Sequence, residues 1–131
     1  MTRAAPIRVL VADDSATIRS ALAALIDSDA DLELAAVAAD ASEAVELAAR
    51  EQPDVALVDV RMPAGGGAAA VHGIALRSPK TNVILLSASG VAPDGLETEI
   101  TGCIAKGAPV RQLVDSVKRA AEGRPYGEPA R

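Results

Sequence analysis

Phenylalanine and tryptophan are absent from these 131 residues, and tyrosine occurs once, at Tyr126. With 13 Lys+Arg against 18 Asp+Glu and a net charge of −5, the chain has neither a stacking platform for bases nor a basic stripe that follows phosphates. Direct nucleic-acid binding is therefore not expected. A single cysteine, Cys103, allows no internal disulfide and no cysteine-based zinc site. No apolar run approaches the length that spans a bilayer, and Met1 to Pro6 lacks the apolar stretch of a secretion signal. These absences predict a cytoplasmic protein without a membrane partner.

Half the chain is apolar, yet alanine alone accounts for 29 positions, so the core must rest largely on close backbone approach. The length fits one domain. Periodicity is lost in the tail that holds Gly123, Pro125, Gly127 and Pro129, which places the domain at residues 1–124. Residues 125–131 then form a tail or the start of a linker.

Between these ends, short apolar runs alternate with helical patterns. Ile7 to Ala12, Leu32 to Ala38, Val55 to Val60, Val83 to Ser87 and Gly102 to Ala105 read as strands. Ile18, Ala21, Leu22, Leu25 and Ile26 share a helical face behind a capping Ser15, and Asp40 with Glu43 starts a second helix that must stop before Pro53. A third helix carries Ala68, Val71, Ile74 and Ala75, and the last carries Val110, Leu113, Val114, Val117 and Ala121 from about Pro109. The stretch from Gly90 to Thr101, with Pro93 and Gly95, predicts only a weak or partly irregular fourth helical segment. The fold class is thus α/β: a doubly wound, five-stranded parallel sheet.

Such sheets place their sites at the carboxyl ends of the strands. There the sequence puts Asp13 and Asp14 after the first strand, Asp59 on the third, Ser87 on the fourth and Lys106 after the fifth. Carboxylates this close raise one another's pKa unless a cation sits among them, and Mg2+ with oxygen ligands resolves the conflict. A carboxylate oxygen beside a metal and a lysine is also a competent nucleophile toward a phosphoryl group, with Asp59 the best-placed acceptor.

The ordered set Val11-Ala12-Asp13-Asp14-Ser15, Asp59-Val60-Arg61-Met62-Pro63, Ser87-Ala88 and Lys106 resembles the receiver domain of two-component response regulators, including receivers that precede LuxR-type output domains. The resemblance covers nearly the whole chain and implies a flavodoxin-like (βα)5 fold with its fourth helical segment shortened. It implies phosphorylation of Asp59, Mg2+ held by Asp14 and Asp59 directly, by Asp13 mainly through water and by the Arg61 carbonyl, with Ser87 as switch hydroxyl and Lys106 as phosphate-binding lysine. It further implies a self-modifying signalling domain that does not turn over a free substrate. The implied partners are a histidine kinase or phosphotransfer protein, and an output domain, partner protein or second copy of the chain.

Two departures from the family stand out. The position three before the lysine, commonly aromatic, is Cys103, and only 19 positions separate Ser87 from Lys106, short by nearly one helical turn. Gly107 after the lysine also removes a Lys-Pro peptide that many relatives have in cis. The departures put the usual aromatic readout in question and admit a second reading, a phosphorylation-independent interaction module. A third, an aspartate-nucleophile phosphatase, wants an acid two residues after Asp59, where this chain has Arg61.

Plainer roles compete at several positions. Asp13 and Asp14 alone would read as turn residues, and Ser87 as a turn former. The run Gly65, Gly66, Gly67 lacks the lysine and hydroxyl of a phosphate-binding loop and reads as backbone permissiveness. His72 is expected on an exposed helix face, Cys103 as a small buried hydrophobe, Met62 as loop packing, and Glu43, Glu46 and Glu51 as a solvated face.

Overall fold

A computed structural model describes residues 5–122. In chain order the elements are β1 (Ile7–Ala12), α1 (Ala16–Asp27), β2 (Leu32–Ala38), α2 (Ala41–Glu51), β3 (Val55–Asp59), α3 (Gly66–Arg77), β4 (Asn82–Ser87), β5 (Gly102–Ala105) and α4 (Val110–Ala121). All strand pairs are parallel, in the order β2-β1-β3-β4-β5. The chain therefore reverses its winding between β1 and β3, and the crevice at the carboxyl ends of those two strands is the switch point where such sheets place ligands.

The inner strands are buried on both faces, so their side chains feed two apolar layers. Val9, Val11, Leu57, Ile84 and Ile104 join Ile26 of α1 and Leu113, Val117 and Ala120 of α4. Leu10, Ala12, Ala56, Val58 and Leu85 join Ala41, Ala44 and Ala48 of α2 and Ala70, Val71 and Ile74 of α3. Alanine and glycine let α2 and α3 close on the sheet and on each other. A Cβ on Gly73 would meet the Val45 methyl groups.

Local signals set most helix ends. Ser15 Oγ accepts the Ile18 N–H at 3.3 Å. Asp40 Oδ1 accepts the Glu43 N–H at 2.8 Å while Glu43 Oε1 accepts that of Ala39 at 2.7 Å, a reciprocal cap. Gln52 leaves α2 in the left-handed region and its amide donates to the Ala49 and Arg77 carbonyls, tying the ends of α2 and α3.

Several expectations need correction. The fourth helical segment forms no helix: residues 88–101 run as bends and turns, so among the described residues three helices and this segment join the five strands, and α4 follows β5. Pro93 and Gly95 oppose helix there, and a single buried side chain, Leu96, pins the segment to the α2/α3 layer. On α3 the buried face is Gly67, Ala70, Val71 and Ile74, with Ala68 and Ala75 exposed. In α4 Val110 is exposed, while Ser116 and Ala120 are buried. Glu51 is not a solvated face residue but pairs with Arg8 at 2.8 Å. The proposed boundary at residue 124 and the tail 125–131 lie outside the described residues.

Candidate functional site

The pairing register explains which side chains meet. Ala12 lies opposite Val58 and Leu86 opposite Asp59, so Asp13, one residue past β1, arrives beside Asp59 at the end of β3. Ser87 lies opposite Ala105, and the Lys106 N–H donates to the Ser87 carbonyl at 2.8 Å, which carries the lysine onto the same rim. Carboxylate oxygens of Asp13, Asp14 and Asp59 fall within 4.8 Å of one another. Asp13 and Asp59 are buried and Asp14 is exposed.

Each buried carboxylate is half satisfied. Asp13 Oδ1 accepts the Ser15 N–H at 2.9 Å, and Asp59 Oδ1 accepts the Arg61 N–H at 3.2 Å. Both Oδ2 atoms are sealed from solvent without a well-aimed hydrogen bond. They face the Lys106 ammonium, whose Nζ stands 3.1 Å from Asp59 Oδ2 and 3.4 Å from Asp13 Oδ2. One part-exposed cation thus balances two buried negative charges, with a third carboxylate close by.

Burial pushes the Asp59 carboxyl above its ordinary 3.8, and the Asp13 charge adds to that rise against the pull of the Arg61 N–H and Lys106. For Lys106, burial works downward but is outweighed by the hydrogen bond to Asp59 and the charges of Asp13 and Asp59. Its ammonium is held above the ordinary 10.5. A divalent cation bound by oxygen suits the unmet demand of the two Oδ2 atoms, and the all-carboxylate donor set matches hard ions such as Mg2+.

Beside Asp59 a cleft of about 420 Å³ opens, lined by Val60, Arg61, Ser87, Ala88, Ser89, Val91, Pro93 and Lys106. The predicted residues thus gather on one rim, but the Ser87 hydroxyl is engaged elsewhere. Its Oγ accepts the Gly90 N–H at 2.9 Å, donates to the Val91 carbonyl at 3.3 Å and lies 3.5 Å from Cys103 Sγ. Cys103 is half-buried, not buried as expected, and packs at the margin of the α2/α3 layer.

The glycine run shapes the loop after Asp59. Ala64, Gly65 and Gly66 all have positive φ, and Gly67 then packs so closely that a Cβ would lie 2.9 Å from Val60 Cα. The Gly67 N–H donates to the Val60 carbonyl at 2.8 Å, holding the start of α3 against the site. Sequence reasoning missed two neighbours. Arg19 Nη1 donates to the Asp13 carbonyl at 2.7 Å, a cation in the first turn of the helix that follows the acidic pair. His72 Nδ1 pairs with Glu99 at 2.7 Å, joining α3 to the irregular segment, a contact no sequence spacing signals.

Comparison with known proteins agrees with this geometry. The family model described as the response regulator receiver domain matches residues 9–118. The chain is 36% identical over 137 aligned positions to protein-glutamate methylesterase/protein-glutamine glutaminase 5 of Anaeromyxobacter dehalogenans, covering 95% of this chain and 38% of that one. It spans less than two thirds of the length of this and other curated relatives it matches. Among solved structures, the response regulator domain of Thermotoga maritima CheB superposes with a TM-score of 0.80 at 30% identity, covering 89% of this chain and 97% of that one. The receiver domain of the response regulator NarL from Mycobacterium tuberculosis gives 0.81 at 27% identity, with 92% and 99% covered. By fold, family match and the ordered residues on its rim, the chain belongs to the response regulator receiver domains of two-component systems.

Proposed function

We propose that Asp59 accepts a phosphoryl group from a histidine kinase or phosphotransfer protein of the cytoplasm, and that the phosphorylated domain switches an output domain or partner protein. The observation that carries this reading is the pair of buried carboxylates, Asp13 and Asp59, whose unsatisfied Oδ2 atoms converge on Lys106 at the switch point of the sheet. Asp13, Asp14, Asp59 and the Arg61 carbonyl would hold Mg2+. When bound, the ion supplies positive charge against the phosphoryl oxygens.

In the transfer, an Asp59 carboxylate oxygen bonds to phosphorus as the phosphorus–nitrogen bond of the phosphohistidine breaks, and the electron pair leaves with the imidazole. Lys106 meets the incoming phosphoryl charge as a point cation. Ser87 donates to a phosphoryl oxygen once its hydroxyl leaves Val91 and Gly90. The domain modifies itself, the phosphoryl group staying on its own Asp59, and is a switch more than an enzyme that turns over a free substrate. The absence of helix in residues 88–101 and Cys103 beside Ser87 support transmission through the irregular segment, without an aromatic readout.

Acetyl phosphate with Mg2+ tests the assignment by intact-protein mass. One phosphoryl group is expected on the wild type and none on Asp59→Asn. Equal labelling of the two, or none on the wild type, overturns it.

A further inference from the structure

Asp13 has four polar atoms, and three are fixed by named partners. Its N–H donates to the Ala38 carbonyl of β2 at 3.1 Å, its Oδ1 accepts from Ser15, and its carbonyl accepts from Arg19 Nη1 at 2.7 Å. Only Oδ2 remains for the site, aimed toward Lys106. Arg19 is half-buried, sits in the first turn of α1, and its own N–H donates to the Ser15 carbonyl at 2.9 Å. Its guanidinium therefore bridges from helix to strand end across the turn that presents Asp13 and Asp14.

We infer that Arg19 is a positioning residue for the metal site: by holding the Asp13 carbonyl it fixes the turn from which two of the three carboxylates reach the ion. The inference rests on reading Asp13, Asp14 and Asp59 as a Mg2+ site. Two effects of Arg19 oppose each other there. Its positive charge, taken alone, repels a divalent cation, so deleting it would tighten binding. Its grip on the turn pre-organises the ligands, so deleting it would weaken binding, as loss of groups that orient metal ligands does by about tenfold or more. The sign of the change decides which prevails, and a bonded contact at 2.7 Å outweighs the charge of a half-buried guanidinium that solvent partly screens.

The experiment is a calorimetric titration of Mg2+ into the full chain as wild type, Arg19→Met and Arg19→Lys, with the metal-free melting temperature of each. Methionine keeps the length of the side chain without its donors, and lysine restores one donor and the charge. The expected result is about tenfold weaker binding in Arg19→Met, with Arg19→Lys in between and each variant folded at the titration temperature. Equal or tighter binding by Arg19→Met overturns the role. If Arg19→Met does not fold, Arg19→Lys decides: weaker binding with an unchanged melting temperature supports the role, and unchanged binding overturns it. A wild type that takes up no Mg2+ overturns the metal-site reading and this inference with it, whereas a binding wild type with an equally binding Arg19→Met refutes Arg19 alone.

Discussion

Lys106 Nζ stands 3.1 Å from Asp59 Oδ2, and that same oxygen accepts no well-aimed hydrogen bond. The lysine reaches it from the strand two places away across the sheet, so the contact exists only when β3, β4 and β5 are in register. Since Asp13 Oδ2 lies 3.4 Å from the same ammonium, the metal-free fold carries a buried like-charge pair with one counter-charge.

Removing one of those charges should stabilise the metal-free protein. Asp59→Asn is expected to melt higher than the wild type at neutral pH in chelator by roughly 3–6 °C, the response of a domain this size to about 1 kcal/mol. Thermal unfolding followed by circular dichroism checks it, and a variant that melts lower would show that Lys106 already compensates both carboxylates.

The pH dependence of that gain has a definite sign. Asp59 titrates above its ordinary 3.8, chiefly through burial, so its charged form costs the native state stability at neutral pH. The cost lifts as pH falls through the raised value and is gone once pH reaches the unfolded value near 3.8. The advantage of Asp59→Asn should therefore shrink over that window. Melts of the two proteins in parallel measure it, and an advantage independent of pH would place its origin elsewhere.

Mg2+ should reverse the order. A ligand that binds only the native state raises its stability by mass action, about 2.7 kcal/mol at a hundredfold excess over Kd. The wild type is expected to gain several degrees with Mg2+ and Asp59→Asn or Asp13→Asn little. The same gain in all three proteins would mean that the ion binds away from these residues.

The apposition of α2 and α3 predicts a paired rescue. A Cβ at Gly73 would lie 2.4 and 2.9 Å from the Val45 methyl carbons, and a β-branched side chain on a helix has little rotamer freedom to yield. Gly73→Ala should cost about 1–3 kcal/mol through overpacking, more than the roughly 1 kcal/mol of helix propensity it gains. Val45→Ala in the same chain should restore much of the loss. A double variant no better than Gly73→Ala, by denaturant melts, would contradict this packing.

The irregular segment has two anchors of unequal strength. Leu96 is 3% exposed in the α2/α3 layer, whereas His72 and Glu99 form a part-exposed pair. Leu96→Ala should cost about 2–5 kcal/mol and speed amide exchange across residues 88–101. His72→Ala should cost about 1 kcal/mol or less. Equal effects would show that the segment hangs on the ion pair instead.

The strands were legible because each is a short, mostly apolar run bounded by turn residues, and Asp13, Asp14, Asp59, Ser87 and Lys106 followed from strand ends without any knowledge of side-chain positions. The face of α3 was not legible. Its Gly67 and Ala70 are buried while Ala68 and Ala75 are exposed, and residues this small carry almost no hydropathy contrast between faces. Pro93 and Gly95 signalled a weakened helix, but its full loss depends on Leu96 finding the core, a tertiary contact. The link from Arg19 to the Asp13 carbonyl escaped notice because a backbone acceptor leaves no mark in the sequence. The turned-away Ser87 hydroxyl was equally hidden, since its partners lie in the irregular segment.

The central claim is that the phosphoryl group forms its bond at Asp59 and needs the acidic cluster to do so. Borohydride reduction of the protein after exposure to acetyl phosphate, followed by peptide mass spectrometry, reads the modified position directly. With Mg2+ the account predicts homoserine at position 59, and with chelator in place of the metal, or with Lys106→Ala, a large loss of that product. Labelling at Asp13, Asp14 or any other carboxylate, or labelling at position 59 that is indifferent to Mg2+, would contradict it.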